Sequence, residues 1–167
     1  MAPLRFMIRG FAPWLLCAIH SSSGDAEQFG GQGLKASILI VEDNADAREM
    51  LALFLRDKGY ALACAEDGKQ ALDMIQSSKP DLIITDIRMP NLDGIELIKR
   101  LRDQSEMKSI PVIVMSSMPS GRIQDAMNAG ADGSMMKPVQ MDALLKLIKG
   151  FLGASVLLSL VAILLQF

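Results

Sequence analysis

Glu42 and Asp43 are neighbouring acids, Asp86 is a third acid, Ser116 offers a hydroxyl, and Lys137 offers an amine followed by Pro138. Each lies at the end of an apolar run: Ile38 to Val41, Leu82 to Thr85, Val112 to Met115, and Ser134 to Met136. In an open parallel α/β sheet, ligands bind in the crevice outside the carboxyl ends of the strands. Carboxylates and a lysine brought to that edge make a site for a divalent cation and a phosphoryl group. Two adjacent acids repel each other, and a cation beside them relieves the repulsion. Magnesium accepts a few carboxylate oxygens and keeps several waters, which leaves room for a phosphate oxygen. Asp86 is a carboxylate able to attack phosphorus and form an aspartyl-phosphate. Lys137 can pair with Asp86 at rest and with a phosphoryl oxygen after transfer, and a cis Lys137–Pro138 bond would aim it. Taken singly, each residue has a plainer reading. Glu42-Asp43 can open a loop, Asp86 can cap a strand end, and hydroxyls such as Ser116 are common at strand ends.

The elements that must position these residues recur five times along residues 37–150. Ile38 to Val41 reads as a buried strand, followed by Asn44 as N-cap of a helix over 45–58 that stops at Gly59. Tyr60 to Ala65 is a second strand, and Asp67 caps a helix that Pro80 ends. Leu82 to Thr85 is the third strand. A turn-rich loop, Met89 to Gly94, leads into a helix carrying Ile95, Leu97, Ile98 and Leu101. A fourth strand follows Pro111, a helix covers about 120–129 and stops at Gly130, and a short fifth strand reaches Lys137. The last helix runs from Met141 to about Phe151. Strands alternating with helices of this length predict βαβ units around a doubly wound, five-stranded parallel sheet flanked by helices.

At 167 residues the chain has room for one ordinary domain with two short appendages. A net charge of -2 without clustered Lys and Arg argues against a nucleic-acid surface. The two cysteines, Cys17 and Cys64, are far apart and suggest neither a disulfide framework nor a metal cluster. Cys64 reads as a small buried hydrophobe, and Met115, Met135 and Met136 as core filler. The reducing cytoplasm is the expected compartment.

The motifs, taken together, resemble the receiver domain of two-component response regulators. The resemblance rests on Ile38 to Asn44, Pro80 to Pro90, Asp93-Gly94, Pro111 to Ser116, Gly130 to Asp132 and Lys137-Pro138. It implies a flavodoxin-like fold and a phosphorylation-dependent signalling role. Asp86 would accept a phosphoryl group from a sensor histidine kinase, a phosphotransfer protein or a small acyl phosphate. Asp43 and Asp86 would bind Mg²⁺ directly, Glu42 through water, and the Arg88 backbone carbonyl would complete the protein ligands. Ser116 would be the switch hydroxyl, and Lys137 would hold a phosphoryl oxygen. The resemblance also implies self-limited turnover rather than a stand-alone enzyme, with output by protein contact or phosphorelay to an unnamed target. One departure stands out: many relatives carry Tyr or Phe where this chain has Ser134, which puts the coupling of phosphorylation to the last helices in doubt. Arg88 and Met118 border the site and are candidates for tuning phosphoryl lifetime.

Two other chemistries fit less well. Mg²⁺-dependent phosphatases with a strand-end Asp nucleophile want a second Asp two residues on, where this chain has Arg88. A nucleotide-binding loop wants its glycines after the first strand, whereas Gly30, Gly31 and Gly33 precede it and read as linker. His20 is the single histidine and lies outside the domain, which disfavours an internal phosphohistidine relay.

The ends carry separate expectations. Residues 1–36 read as an irregular leader and linker; Arg5 and Arg9 before an apolar stretch faintly resemble a secretory signal, interrupted by Pro13. Residues 151–167 hold no charge. After Lys146 and Lys149 they are compatible with a membrane anchor at the short limit of spanning length, tethering the domain to the inner membrane face. A packing or homodimerising extension of the last helix, or an aberrant terminus, are the alternatives.

Overall fold

The computed structural model describes residues 36–117 and 120–164. Five parallel strands form one sheet in the order β2-β1-β3-β4-β5. They are β1 (Ser37–Val41), β2 (Ala61–Ala65), β3 (Leu82–Asp86), β4 (Val112–Ser116) and β5 (Gly133–Met136). Helices α1 (Ala45–Asp57), α2 (Gly68–Ser77), α3 (Gly94–Asp103), α4 (Ser120–Asn128) and α5 (Met141–Leu164) follow the strands in turn. This is the doubly wound α/β architecture expected from the alternating pattern.

The central strands are continuous apolar runs because both faces of the sheet are covered. Side chains alternate between two cores. Leu39, Val41, Ile83, Val112 and Val114 pack with α2, α3 and α4 residues such as Ile75, Leu97 and Ala126. Ile38, Ile40, Ile84, Ile113 and Met115 pack with Leu51 and Leu55 of α1 and Leu144 and Ile148 of α5. Burying each such side chain contributes about 1.5–3 kcal/mol, so the strand ends that carry the polar residues rest on the most heavily buried part of the fold.

Local signals set the helix starts. Asn44 accepts a hydrogen bond from the Ala47 N–H at 2.9 Å, Asp67 from Gln70 at 2.8 Å, and Asp93 from Glu96 at 2.9 Å. Each satisfies a backbone donor that has no partner within its helix. Gly59, with φ +90°, turns the chain out of α1 toward β2.

Several expectations need correction. Met136 is 52 % exposed and fills no core, because β5 is an edge strand and this residue is its last. Cys64 is half-buried against the α1/α5 core, also from an edge strand. The last helix does not stop near Phe151 but continues to Leu164. The anchor reading of residues 151–167 gains no support: among the described residues no helix is long and apolar enough to cross a membrane. The readings of Arg5, Arg9, Pro13, Cys17, His20 and the 30–33 glycines, and of Met118, lie outside the described residues.

Candidate functional site

Strand order reverses between β1 and β3: the chain leaves β1 to form β2 on one side, then returns to place β3 on the other. That divergence opens a crevice beyond the carboxyl ends of the two strands. Glu42, the residue after β1, is held there by its N–H donating to the Ala65 carbonyl at 3.1 Å. Its side chain is buried, whereas Asp43 is exposed at the mouth. Asp86 ends β3, with Oδ1 accepting the Ile87 N–H at 2.6 Å.

Lys137 joins the two strands. Its Nζ donates to Glu42 Oε2 at 2.7 Å and to Asp86 Oδ2 at 2.8 Å. Partial burial disfavours the charged amine, but the bonds to Asp86 and Glu42 outweigh that cost and raise its pKa above the ordinary lysine value. Lys137 is therefore a fixed cation between two acids from separate strands. Its own backbone N–H donates to the Ser116 carbonyl at 2.8 Å, which places Ser116, 1 % exposed, at the same edge. The Lys137–Pro138 peptide is cis.

Carboxylate oxygens of Glu42, Asp43 and Asp86 all lie within 4.8 Å of one another. Hard oxygen donors, two buried and one open to water, suit a small divalent cation that retains waters. The residues present fit Mg²⁺.

Arg88 is exposed in the loop after β3. That loop is tied down at several points that the sequence alone did not reveal. Asn91 adopts φ +62° and donates from Nδ2 to Asp67 Oδ2 at 2.6 Å. The Gly68 N–H donates to the Leu92 carbonyl at 3.1 Å, and the Gly94 N–H to the Ile87 carbonyl at 2.9 Å. A Cβ at Gly94 would collide with the Asp86 carbonyl oxygen, so only glycine admits this close return of the chain to the candidate nucleophile. The Asp93-Gly94 pair was visible in sequence as turn chemistry, but its contact with Asp86 was not. All six site residues expected from sequence, Glu42, Asp43, Asp86, Arg88, Ser116 and Lys137, thus lie at or beside one sheet edge.

Residues 38–149 match the family model described as the response regulator receiver domain. The chain belongs to this receiver family. The receiver is 36 % identical over 116 residues to response regulator MprA of Mycolicibacterium vanbaalenii, a match covering 69 % of this chain and 49 % of that protein. It thus spans about half the length of the curated relatives it matches. Among solved structures, the chemotaxis response regulator CheY4 of Vibrio cholerae superposes with a TM-score of 0.66 at 34 % identity, covering 71 % of this chain and 99 % of that one. The receiver domain of sensor histidine kinase PA1611 from Pseudomonas aeruginosa, solved with a magnesium ion in its active-site cleft, gives a TM-score of 0.68 at 27 % identity, covering 72 % of this chain and 99 % of that one.

Proposed function

We propose that this receiver takes a phosphoryl group onto Asp86 and signals by protein contact or by onward phosphotransfer. The observation that carries the reading is Lys137 Nζ bridging Glu42 and Asp86 beside a third carboxylate, Asp43. An Oδ atom of Asp86 attacks phosphorus while the bond to the donor breaks. With a sensor kinase or phosphotransfer protein that bond is P–N, and the electron pair returns to the imidazole. With an acyl phosphate it is P–O, and the carboxylate leaves. Glu42, Asp43, Asp86 and the Arg88 backbone carbonyl would hold Mg²⁺, which when bound supplies positive charge against the transferring oxygens.

In this mechanism Lys137 exchanges its Asp86 contact for a phosphoryl oxygen, an ammonium-to-phosphate bond being charge-assisted. The Ser116 hydroxyl donates to another of those oxygens, and water later releases phosphate and restores the carboxylate. The half-buried Ser134 brings no ring to β5, so switching here runs through Ser116 and its loop. Members of this family act as signalling domains, and the turnover proposed here is of the protein's own phosphoryl group.

The test is intact mass of the full chain after incubation with Mg²⁺ and acetyl phosphate, beside Asp86→Asn. A labile single phosphoryl adduct is expected in the wild type, lost in EDTA and in the variant. A folded wild type that gains no adduct from acetyl phosphate or from a phosphohistidine donor refutes the reading.

A further inference from the structure

We propose that Arg48 is a positioning residue: it sets the cation affinity of the acidic pair by gripping the backbone of Glu42 and Asp43. The proposal rests on the reading of those acids as Mg²⁺ ligands. Arg48 lies one turn into α1, its N–H donating to the Asn44 carbonyl at 3.0 Å. Helical side chains lean toward the helix N-terminus, and this one reaches back over the loop it follows. Its Nη1 donates to the Glu42 carbonyl at 2.5 Å and to the Asp43 carbonyl at 3.3 Å.

Helix stability does not explain an arginine here. The N-terminal end of a helix carries positive partial charge, which disfavours a cation and favours acids such as Asp46 in the same turn. What the guanidinium gains is two successive carbonyls. Holding both fixes the peptide planes on either side of Asp43, and with them the direction in which each acid leaves the backbone. Glu42 is then restrained at three places: its N–H by Ala65, its carbonyl by Arg48 and its carboxylate by Lys137. For exposed Asp43, the grip of Arg48 limits motion at the mouth of the crevice.

Charge and position pull in opposite directions, so the sign of the effect separates them. A guanidinium near a cation site repels the cation, and deleting it as a mere charge would tighten binding. Deleting it as a positioning group loosens the ligands and weakens binding.

The experiment is calorimetric titration of MgCl₂ into the full-length wild type, Arg48→Met and Arg48→Lys without phosphodonor, with urea unfolding of each in parallel. Arg48→Met is expected to bind Mg²⁺ about tenfold more weakly, the scale of lost outer-shell support for a metal ligand, with Arg48→Lys in between. The Mg²⁺ concentration giving half-maximal phosphorylation rises in step, while the rate at saturating Mg²⁺ stays within about twofold, because Arg48 touches no reacting atom. Wild-type or tighter binding by Arg48→Met overturns the proposal; if that variant does not fold, wild-type binding by Arg48→Lys does so. A wild type that binds Mg²⁺ while the variants match it refutes the role of Arg48 alone. A folded wild type with neither Mg²⁺ binding nor an Asp86 adduct refutes the functional reading itself, and this proposal with it.

Discussion

Lys137 compensates two of the three acids at the site, bonding Glu42 and Asp86 at 2.7 and 2.8 Å. Asp43 adds a third carboxylate within 4.8 Å of both. Like charges that close oppose each other, more strongly than in bulk water because Glu42 and Asp86 are buried. Crowding three carboxylates costs stability, and a cation bound as proposed above would relieve that cost. Asp43→Asn should stabilise the Mg²⁺-free protein by about 1 kcal/mol, the scale of repulsion with one partner exposed to screening. In urea unfolding, added Mg²⁺ should stabilise the wild type, because a ligand bound only by the native state raises its stability, and should leave the variant unchanged. A destabilised Asp43→Asn in EDTA would show that the acids are not in conflict.

At the scale of elements, α2 is tied to the loop before α3, which returns to Asp86 at Gly94. Asp67 caps α2 and accepts the Asn91 side chain from that loop. The bonds from the Gln70 N–H and the Asn91 amide hold its carboxyl below the usual aspartate range. A carboxylate whose folded pKa is depressed stabilises the protein above its unfolded value, about 3.9, and that contribution fades as pH falls through the lower folded value. Asp67→Asn keeps a good capping residue but removes the charge. The difference in urea midpoint between wild type and Asp67→Asn should be constant from pH 7 to about 5. It should then shrink on further acidification below about pH 4. A difference that grows there would mean the carboxylate is not engaged in its charged form.

Across the whole molecule, the opposite edge of the sheet has its own anchor. Arg102, at the end of α3, donates to the Gly130 carbonyl at 2.9 Å, to the Lys108 and Ile110 carbonyls at 3.0 Å, and to Asp132 at 2.8 Å. Asp132 in turn accepts the Val112 N–H at 2.8 Å. One guanidinium thus fastens the entries to β4 and β5 to α3, below the strands whose far ends carry Ser116 and Lys137. Arg102→Met should cost about 2–3 kcal/mol, the scale of charged hydrogen bonds lost at a half-buried site. Mg²⁺ affinity should stay within about twofold of wild type, because distant sites behave independently. Loss of Mg²⁺ affinity in a folded Arg102→Met would show that the two edges are coupled.

Much of this was legible in the chain itself. Buried parallel strands must be continuous apolar runs, so the acids and the lysine that interrupt them announce both the strand ends and the site. Asn44 and Asp67 announced their helices because capping is local chemistry. Tertiary structure decided what local chemistry cannot. That Lys137 meets Glu42 and Asp86 from 95 and 51 residues away depends on strand order. That Arg48 and Arg102 grip carbonyls depends on loop paths, and any carbonyl in reach would have served. That Gly94 must lack a Cβ depends on the chain passing against Asp86. Met136 was misread as core for the same reason: an apolar residue states a preference for burial, and only the neighbouring strands decide whether anything covers it.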